Sequence, residues 1–567
     1  MMNSTPFSEK PWLRSYPKGV PAEIAIPLKS ANDFFDEATE KWKDKTALIF
    51  YGKKISYGAL RDKVYRMATA LHDLGIKKGD RVALLLLNSP EFYVAFYGIL
   101  RLGAIVTPLS PVYVSSEIKH QLEDSGADNL ICQDILYEVV QKTGLKFNHI
   151  ILTNIRDSLP TIKRLLGKKI LRAADQKRSV YSFVFSEGEG FYKFQDLIEK
   201  YPPHPPKVEI TPREDIITLP YTGGTTGAPK GVMITHFNVV ANVLQFKTLF
   251  SFMEEGKEVL LAYMPFYHAA GQFNFLLAGI FMGSTMVILT APEVDDILFS
   301  INRYKVTIFN GAPAIYEILK NSKKLHQVNW KRFKFVMSGA DALNDSTAKD
   351  WKERTGVDIH DCYGMTELSP ISHLTPLGKV KKGSMGVPVP NNRAVILDPE
   401  KDDFVPLGEI GELAVEGPNV CKGYWQNPEA TKECEAIING VRWWRTGDLA
   451  RMDEDGYFYI FDRKRDLIKY KGLRIYAREV EEVLKTHPQI KDVGVIGVRD
   501  LKVGQFVKAM VVLESDARGK LSEEEIIDYC QDKLAPYKIP KVIEFIGEIP
   551  KTDVGKVSRR ELKEEVV

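Results

Sequence analysis

The sequence predicts an α/β protein with a large amino-terminal body of layered sheets and helices, followed by a small mobile α+β domain. The first observation behind this prediction is an alternation of apolar, strand-like runs with helical patterns. Arg81–Leu87 precedes a helical pattern at Pro90–Leu102, and Ile216–Tyr221 precedes one that begins near Thr235. Such alternation is typical of layered α/β architecture with largely parallel sheets.

The second observation is the charged run DRKRD at Asp462–Asp466, which follows a strand-like segment at Tyr457–Phe461. About a hundred residues after this run alternate again between strand and helix patterns, which is enough for a small domain. We therefore place the body at 1–463 and a carboxy-terminal lid at 464–567, joined at this run.

Local signals define the elements of the lid. Leu467–Tyr470 is predicted to form a strand, with a turn after it, and Ala477–Thr486 a helix with one apolar face. Ser522 followed by Glu525 is a capping box, which predicts a helix over Glu523–Leu534.

The composition excludes several classes of protein. Of 567 residues, 44% are hydrophobic and 27% are charged, and 77 Lys and Arg nearly balance 74 Asp and Glu. A nucleic-acid-binding protein would carry a clustered basic excess, so nucleic acid is not expected as a partner. CxxC spacing is absent, which argues against a zinc site or a redox dithiol. Scattered thiols, and an amino terminus without the apolar core of a secretory signal, favour a cytoplasmic protein.

Two segments raise the question of membrane contact. Phe273–Ala291 runs 19 residues without a charge. Its glycines and its β-branched second half favour a buried helix, a turn and a buried strand over a membrane span. Leu159–Arg178 is a basic amphipathic stretch, which can lie on an anionic membrane surface. A solvated surface excursion is the alternative, and Gly167 favours it by weakening the helix in its middle.

The strongest local signal is the segment Tyr221–Lys230, YTGGTTGAPK. Its glycines let successive backbone N–H groups face an anion, its threonines add hydroxyl donors, and its lysine adds positive charge. This chemistry suits a polyphosphate, whereas a Walker loop is excluded because GxxxxGK[ST] is absent. The alternative is a glycine-rich hairpin without a ligand. The candidate residues are Thr222, Gly223, Gly224, Thr225, Thr226, Gly227 and Lys230.

A second candidate segment is DCYGMTE at Asp361–Glu367, after a strand-like Gly356–His360. Gly364 permits a sharp turn, Tyr363 offers a face for a purine, and Glu367 is an oxygen ligand suited to Mg²⁺. Taken alone, this pattern is common. It becomes more informative because the glycine-rich segment occurs in the same sequence.

Two shorter motifs complete the set. In Arg445-Thr-Gly-Asp448, the carboxylate of Asp448 could accept both hydroxyls of a ribose, although an Asp that orders a turn gives the same pattern. In Pro550-Lys-Thr-Asp-Val-Gly-Lys556, Lys556 follows a short loop in the lid.

At these four places the sequence resembles the adenylate-forming superfamily of acyl-CoA synthetases, luciferases and peptide-synthetase adenylation domains. The resemblance runs from about Pro11 to Glu564. It is strongest to long-chain fatty-acid–CoA ligases, through the amino-terminal KPWLRSYPKGVP and the stretch from TGD to DRKR. The chain departs from the usual pattern at Ala477, where proline is common, and at the double tryptophan Trp443-Trp444.

The resemblance implies a role for each motif in binding the nucleotide. Thr222–Lys230 would hold the β- and γ-phosphates of ATP, with Thr222 and Glu367 near Mg²⁺. The rest of the nucleotide would be bordered by Gly339, Ala340, Asp361, Tyr363, Gly364, Thr366, Asp448 and Arg463.

The resemblance also implies roles in the reaction. Lys556 would be the adenylation lysine, and His268 would stand near the carboxylate and the mouth of the acyl pocket. Arg465 would be the hinge between body and lid, and Lys469 would lie close to the nucleotide.

These expectations together describe an ATP-dependent ligase that joins a carboxylic acid to coenzyme A through an acyl-adenylate. The resemblance favours a medium- or long-chain fatty acid as the substrate. Short hydroxy- or aryl-acids and a luciferase-like oxygenase remain alternatives, as does a nucleotide sensor without catalysis. Because many members of the superfamily are dimers, the resemblance also makes a homodimer possible.

Overall fold

The computed structural model describes residues 10–160, 190–222, 228–290, 293–471, 473–500, 502–515, 517, 519–550, 557 and 559–564. The strands within these ranges are, in chain order, β1 Thr46–Phe50, β2 Lys53–Ser56, β3 Arg81–Leu85, β4 Ile105–Pro108, β5 Asn129–Gln133, β6 His149–Thr153, β7 Phe191–Lys193, β8 Ile216–Thr218, β9 Tyr221–Thr222, β10 Lys230–Gly231, β11 Ile234–Thr235, β12 Val259–Ala262, β13 Thr285–Ile288, β14 Ile308–Gly311, β15 Phe335–Ser338, β16 His360–Gly364, β17 Ile371–Leu374, β18 Val387–Pro388, β19 Arg393–Leu397, β20 Gly411–Glu416, β21 Glu435–Ile438, β22 Val441–Met452, β23 Phe458–Arg463, β24 Ile468–Tyr470, β25 Leu473–Ile475, β26 Ile490–Asp500, β27 Gly504–Leu513 and β28 Val542–Phe545.

Helices separate most of these strands. The α-helices within the described ranges are Ala31–Lys41, Tyr57–Asp73, Pro90–Arg101, Ser115–Ser125, Tyr137–Gln141, Phe194–Lys200, His236–Leu249, Ala269–Gly271, Gly279–Phe281, Val294–Tyr304, Pro313–Lys320, Asp345–Thr355, Pro428–Glu433, Ala477–Lys485, Glu523–Gln531 and Arg559–Glu564. Short 3₁₀ helices lie at Pro11–Ser15, Asp134–Leu136, Ile155–Ser158, Leu325–Gln327, Trp330–Arg332, Thr366–Leu368 and Lys464–Asp466, and a π-helix at Gln272–Ala278.

Two large sheets form the frame of the body. The first has the order β18-β17-β16-β15-β14-β12-β13-β1-β2, and its pairs from β16 to β1 are parallel. The second has the order β11-β8-β4-β3-β5-β6-β7 and is parallel except where β11 meets β8. The buried helix Pro90–Arg101 packs on β3 and β4 of the second sheet. Parallel sheets are buried on both faces, which explains why central strands such as β3, β12 and β13 are largely apolar.

Two smaller sheets follow along the chain. The order β19-β20-β22-β21, with β23 beside β22, is antiparallel and belongs to the body. The order β25-β24-β27-β26, with β28 beside β27, lies in the lid. This last sheet has a hydrophobic core of its own, which includes Ile468, Val480, Val493, Val511 and Ile526. The predicted fold class is therefore confirmed, while the boundary between 463 and 464 stays a prediction.

Most of the predicted elements are present with shifted ends. The lid helix at Ala477–Lys485 and the strand at Ile468–Tyr470 agree with prediction. The capping box is formed, because Ser522 accepts a hydrogen bond from the backbone N–H of Glu525 at 3.2 Å and donates its own N–H to that side chain at 2.8 Å. The helix that it opens ends at Gln531, three residues earlier than predicted.

Two strand predictions were wrong in extent. The run Ile216–Tyr221 is split, with β8 and β9 in different sheets. The run Gly356–His360 is strand only at its last residue, because Gly356 adopts a left-handed conformation (φ +75°) that ends the helix Asp345–Thr355. An αL glycine at a helix end is a common stop signal.

The uncharged stretch Phe273–Ala291 has the predicted buried helix, glycine turn and buried strand. It contains most of the π-helix, then Gly279–Phe281, a turn at Gly283 and the fully buried β13. Within the described ranges, no helix has both the length and the apolar composition needed to cross a bilayer. The basic stretch Leu159–Arg178 lies outside the described residues from position 161 onward.

Candidate nucleotide site

The two ends of the glycine-rich loop are held together as a strand pair. Thr222 is opposite Lys230 and Tyr221 is opposite Gly231 in the antiparallel pair of β9 and β10. The hydroxyl of Tyr221 donates a hydrogen bond to Asp124 at 2.5 Å, which ties the pair to the helix Ser115–Ser125. Gly223, Gly224, Thr225, Thr226 and Gly227 lie outside the described residues. The two ends of the segment are thus paired, while its role in binding phosphate stays a prediction.

Glu367 lies buried beside the base of this loop. It sits on the 3₁₀ helix Thr366–Leu368 and is 4% exposed. The hydroxyl of Tyr424 donates a hydrogen bond to Glu367 Oε1 at 2.7 Å. The ring of the same tyrosine lies under Lys230, with Nζ 5.2 Å from the ring centroid. Tyr424 therefore links two residues that the sequence assigns to one phosphate site. Burial raises the pKa of Glu367, and the bond from Tyr424 opposes that shift.

Glu367 fits the requirements of a magnesium ligand. Among the residues that the structure describes, no lysine or arginine forms an ion pair with it within 4.0 Å. A buried carboxylate without a cationic partner is costly, and a bound cation would offset that cost. In the same ranges, no group of three or more His, Cys, Asp or Glu side chains is arranged to hold a metal. One carboxylate is nevertheless enough for Mg²⁺, which keeps several waters and binds substrate phosphates.

Asp448, Tyr363 and Arg463 form a second cluster. Tyr363 donates its hydroxyl to Asp448 Oδ2 at 2.5 Å, and Arg463 Nε lies 2.7 Å from Asp448 Oδ1. Asp448 is opposite Arg463 in the pairing of β22 with β23, which explains their contact. The structure thus brings together three residues that the sequence assigns to the nucleoside. Both carboxylate oxygens of Asp448 are engaged by protein groups.

The carboxyl ends of β15 and β16 carry further residues that the sequence assigns to the nucleotide. Ser338 is opposite Asp361 in this parallel pair, so Gly339 and Ala340 follow directly beside the DCYG segment. A Cβ on Gly339 would lie 2.4 Å from Cys362 Sγ, so the two strands approach too closely for a side chain there. Ala340 has a φ of +71°, a left-handed conformation that is rare for residues other than glycine.

The carboxyl of Asp361 has a shifted pKa. Burial raises the pKa of its carboxyl to about 7, with a smaller contribution from the negative charge of Asp345. Crevices at the carboxyl ends of parallel strands are the usual ligand sites of such sheets. Strained backbone and a shifted pKa at this edge agree with that position.

Two other predicted residues, His268 and Lys469, form a hydrogen bond and an ion pair with residues outside these two clusters. His268 caps the short helix Ala269–Gly271 after β12, with its Nδ1 accepting from the N–H of Ala270 at 3.3 Å. Lys469 pairs at 2.6 Å with Glu400, and both side chains are well exposed. It borders a cleft of about 390 Å³ in the lid, together with Arg499 and Gln505 among others. Its predicted closeness to the nucleotide stays a prediction.

Arg465 and Lys556 complete the set of predicted residues. Arg465 lies in the 3₁₀ helix Lys464–Asp466, where its Nε is 3.7 Å from Asp466. Lys556 lies outside the described residues. Tyr424 is the residue of this region that the sequence motifs missed. It belongs to Gly423-Tyr-Trp, an aromatic pair that by itself is typical of packing.

The comparison with known families agrees with this geometry. The AMP-binding enzyme family matches residues 35–425, and the AMP-binding enzyme C-terminal domain matches residues 479–556. The chain belongs to the AMP-binding enzyme family. The resemblance noted from the motifs is confirmed. The loop and Glu367 lie within the first matched range, while Asp448 and the predicted hinge lie between the two ranges.

Relatives of this AMP-binding enzyme extend over nearly its whole length. A protein of Bacillus subtilis (strain 168) named long-chain-fatty-acid–CoA ligase is 38% identical over 562 residues, covering 98% of each chain. Among solved structures, ATP-bound MatB from Rhodopseudomonas palustris is 27% identical and has a TM-score of 0.80, covering 95% of this chain and 99% of that one. The apo structure of MatB from the same organism, with the same coverage and identity, has a TM-score of 0.71. The overall similarity of the chain is therefore higher to the ATP-bound than to the apo structure.

Proposed function

We propose that this AMP-binding enzyme is an ATP-dependent fatty-acid–CoA ligase, acting on medium- or long-chain acids. It joins the acid to the α-phosphate of ATP, releases pyrophosphate, and then transfers the acyl group to the thiol of coenzyme A with release of AMP. The observation that carries the proposal is the spacing of Tyr363 and Glu367. These residues stand four apart on one strand-and-turn segment, one bonded to Asp448 and the other to Tyr424 beside Lys230.

This arrangement suits an adenylation step. A fatty acid is already ionised at neutral pH, so the acid needs no general base to become a nucleophile. The step requires alignment of the acid with the α-phosphate and neutralisation of charge on the departing pyrophosphate. In the proposal, Lys230 and Lys556 neutralise that charge, and Asp448 and Tyr363 fix the nucleoside end. His268 orients the carboxylate at the mouth of the acyl pocket.

Magnesium is part of the proposal, with Glu367 and Thr222 as the residues that would hold it. When bound, Mg²⁺ would stabilise negative charge on the phosphate oxygens. The buried carboxylate of Glu367, held by Tyr424, is the observation that supports this role.

The second step brings the thiol of coenzyme A to the same carbonyl. Lys556 must then leave the site, and a rotation of the lid about Arg465 would allow this, because one hinge residue can absorb a large backbone change. Closure of the lid would also shield the mixed anhydride from water.

The substrate class rests on similarity to the long-chain-fatty-acid–CoA ligase of Bacillus subtilis. Exchange of pyrophosphate into ATP tests it when measured across saturated acids of increasing length, with a short hydroxy-acid and an aryl acid alongside. We expect exchange to be fastest with medium or long chains. Faster exchange with the hydroxy- or aryl acid would overturn the proposed substrate class. If none of the acids supported exchange, the assignment as a ligase would be overturned.

Location and partners are further proposals. We place the enzyme in the cytoplasm, with peripheral membrane contact through residues 159–178, whose basic amphipathic pattern supports it. Deletion of 161–178 should then reduce co-sedimentation with anionic vesicles, and unchanged binding would contradict the contact. The homodimer stays a prediction of the family resemblance.

A further inference from the structure

A buried charge cluster lies where the body meets the lid. It contains three carboxylates, Asp462 on β23, Asp466 on the 3₁₀ helix Lys464–Asp466 and Glu481 on the helix Ala477–Lys485, all around the guanidinium of Arg559. The side chains are 1%, 8%, 7% and 15% exposed, in that order. Charges so deeply buried are kept only when they are paired, so each contact in the cluster matters.

Arg559 uses all of its N–H groups in this cluster. Its Nη2 donates to both oxygens of Glu481 at 2.8 Å, and its Nε donates to the carbonyl of Val495 at 3.2 Å. Its Nη1 makes longer contacts, 3.5 Å to Asp462 and 3.4 Å to Asp466. A guanidinium has five donors in a rigid fork, and here each has an acceptor. The orientation of the side chain is therefore fixed by its surroundings.

The partners of Arg559 lie on opposite sides of the predicted hinge at Arg465. Glu481 and Val495 belong to the lid, so their contacts would move with Arg559 in any rotation. Asp462 belongs to the body, because it is paired with Leu449 in the sheet of β22 and β23. Of the described residues, Asp462 is the carboxylate on the body side that contacts Arg559.

Loss of this contact would leave Asp462 without its cation. Burial raises the pKa of Asp462, and Arg559 is the main charge that opposes the shift. Its other partners are backbone N–H groups: that of Arg463 at 2.8 Å, on the body side, and that of Arg478 at 3.0 Å, on the lid helix, which would also part from Asp462 in a rotation. A contact that exists in one arrangement and not in another favours the first by its own free energy. Other ion pairs across the hinge, such as Lys469–Glu400, are exposed and contribute less.

We propose that Asp462 and Arg559 form a latch across the hinge, and that Arg559 is a positioning residue for acyl-adenylate formation. The latch holds the lid in the arrangement of this structure, whose overall similarity is higher to the ATP-bound than to the apo structure of the related MatB protein. Lys556, the proposed adenylation lysine, lies three residues before Arg559 in the sequence, which is why we assign the positioning role to Arg559. The role in adenylation rests on the proposed function.

A carbodiimide cross-link tests the arrangement without any substrate. Lys469 and Glu400 lie 2.6 Å apart across the hinge, and both are exposed, so the reagent should join them as an amide. Two other pairs serve as internal references: the exposed Lys422–Glu214 within the body and the part-buried Lys538–Glu479 within the lid. In Asp462→Asn, we expect the peptide joining Lys469 to Glu400 to fall severalfold relative to both references. An unchanged ratio would overturn the latch, whether or not the protein is a ligase.

The two half-reactions test the positioning role in the same preparations. In Asp462→Asn, acyl-adenylate formation should fall on the order of tenfold relative to thioester formation from supplied acyl-adenylate. Glu479→Gln is the matched control, since it removes an ion pair that lies within the lid alone. An equal change in both half-reactions would mean a merely structural role and overturn the proposal. Arg559→Gln gives a second variant with the same expected ratio, should Asp462→Asn fold poorly.

Discussion

At the scale of single residues, Tyr424 connects the two parts of the phosphate site through one hydrogen bond and one ring face. Its hydroxyl holds Glu367 at 2.7 Å, and its ring supports Lys230. Hydrogen bonds to charged groups contribute about 1.5–3 kcal/mol. We therefore expect Tyr424→Phe to slow pyrophosphate exchange by roughly tenfold or more and to raise the magnesium concentration required for half-maximal rate.

A matched tyrosine separates this effect from general damage. Tyr459 donates a hydrogen bond to Asp453 at 3.0 Å in a part-buried contact, and neither residue is assigned to the nucleotide site. Tyr459→Phe should leave the magnesium dependence unchanged. If Tyr424→Phe also leaves it unchanged, Tyr424 does not position Glu367 for a metal.

Lys556 provides a prediction that separates the two halves of the reaction. Lys556→Ala should slow acyl-adenylate formation by about 10²–10³, the usual effect of losing one preorganised charge. Thioester formation from supplied acyl-adenylate should be spared, because in the proposed function Lys556 leaves the site before that step. Single-turnover measurement of each half-reaction checks this. Equal losses in both would remove Lys556 from its assigned role.

Asp361 predicts a pH dependence of stability. Burial raises the pKa of Asp361 to about 7, above the ordinary value of 3.8, so the folded state retains a proton that the unfolded state has lost. The contribution of Asp361 to stability therefore falls as pH rises from about 4 to about 7. Because Asp361 is only half-buried, we expect the free energy of unfolding of the wild type to fall, relative to Asp361→Asn, by on the order of 1 kcal/mol between pH 5 and 7.5.

Urea denaturation of both proteins at the two pH values measures this difference. Asp44→Asn replaces an exposed aspartate in a turn and should follow the wild type. The same difference in free energy between wild type and Asp361→Asn at both pH values would show that Asp361 is ionised throughout in the folded state, and would contradict the prediction.

The residues of the site could be predicted from the sequence only where short motifs carry them. Glu367, Tyr363 and Asp448 stand in segments whose residue types suit a nucleotide, and the structure brings Tyr363 and Asp448 into contact. Tyr424 could not be predicted, because its contact with Glu367 spans 57 positions and no local pattern encodes it. The same holds for Arg559 and Asp462, which are 97 positions apart.

At the scale of elements, the turn after β16 is fixed by a close backbone approach. A Cβ on Gly364 would lie 1.8 Å from the carbonyl oxygen of Pro370, which no side-chain movement could relieve. We expect Gly364→Ala to destabilise the protein by about 3 kcal/mol or more, because the strand must shift. The shift would also displace Tyr363 and Glu367 and reduce pyrophosphate exchange.

Gly547 is the matched control for this prediction. A Cβ there would meet nothing within 4 Å. Gly547→Ala should change the free energy of unfolding by no more than about 0.5 kcal/mol. Chemical denaturation compares the two variants, and equal stability would contradict the close approach at Gly364.

Elements were predictable to different degrees. The helix Pro90–Arg101 and the capping box at Ser522 follow from local chemistry, and both are present. The split of Ile216–Tyr221 between β8 and β9 could not be predicted, because an apolar run does not specify its partner strand. The partner of β9 is β10, on the far side of the glycine-rich loop, so the pairing depends on tertiary context.

At the scale of the whole molecule, the sequence predicts the layered body and the separate lid, but not the order of strands. The nine-stranded sheet places β1 beside β13, which are more than 200 residues apart. The amino-terminal segment is another long-range element: Trp12 is buried against Gly456, and Tyr16 donates to the carbonyl of Pro388 at 2.6 Å. Contacts of this range are specified by packing over the whole chain.

The central claim concerns the body and the lid together: they form one site that activates a fatty acid with ATP. Analysis of nucleotide products tests it most directly, with purified protein, ATP, magnesium, coenzyme A and palmitate as the acid. We expect AMP and pyrophosphate in equal amounts with acyl-CoA, and none of them without the acid. Formation of ADP and phosphate, or of AMP that does not depend on the acid, would contradict it.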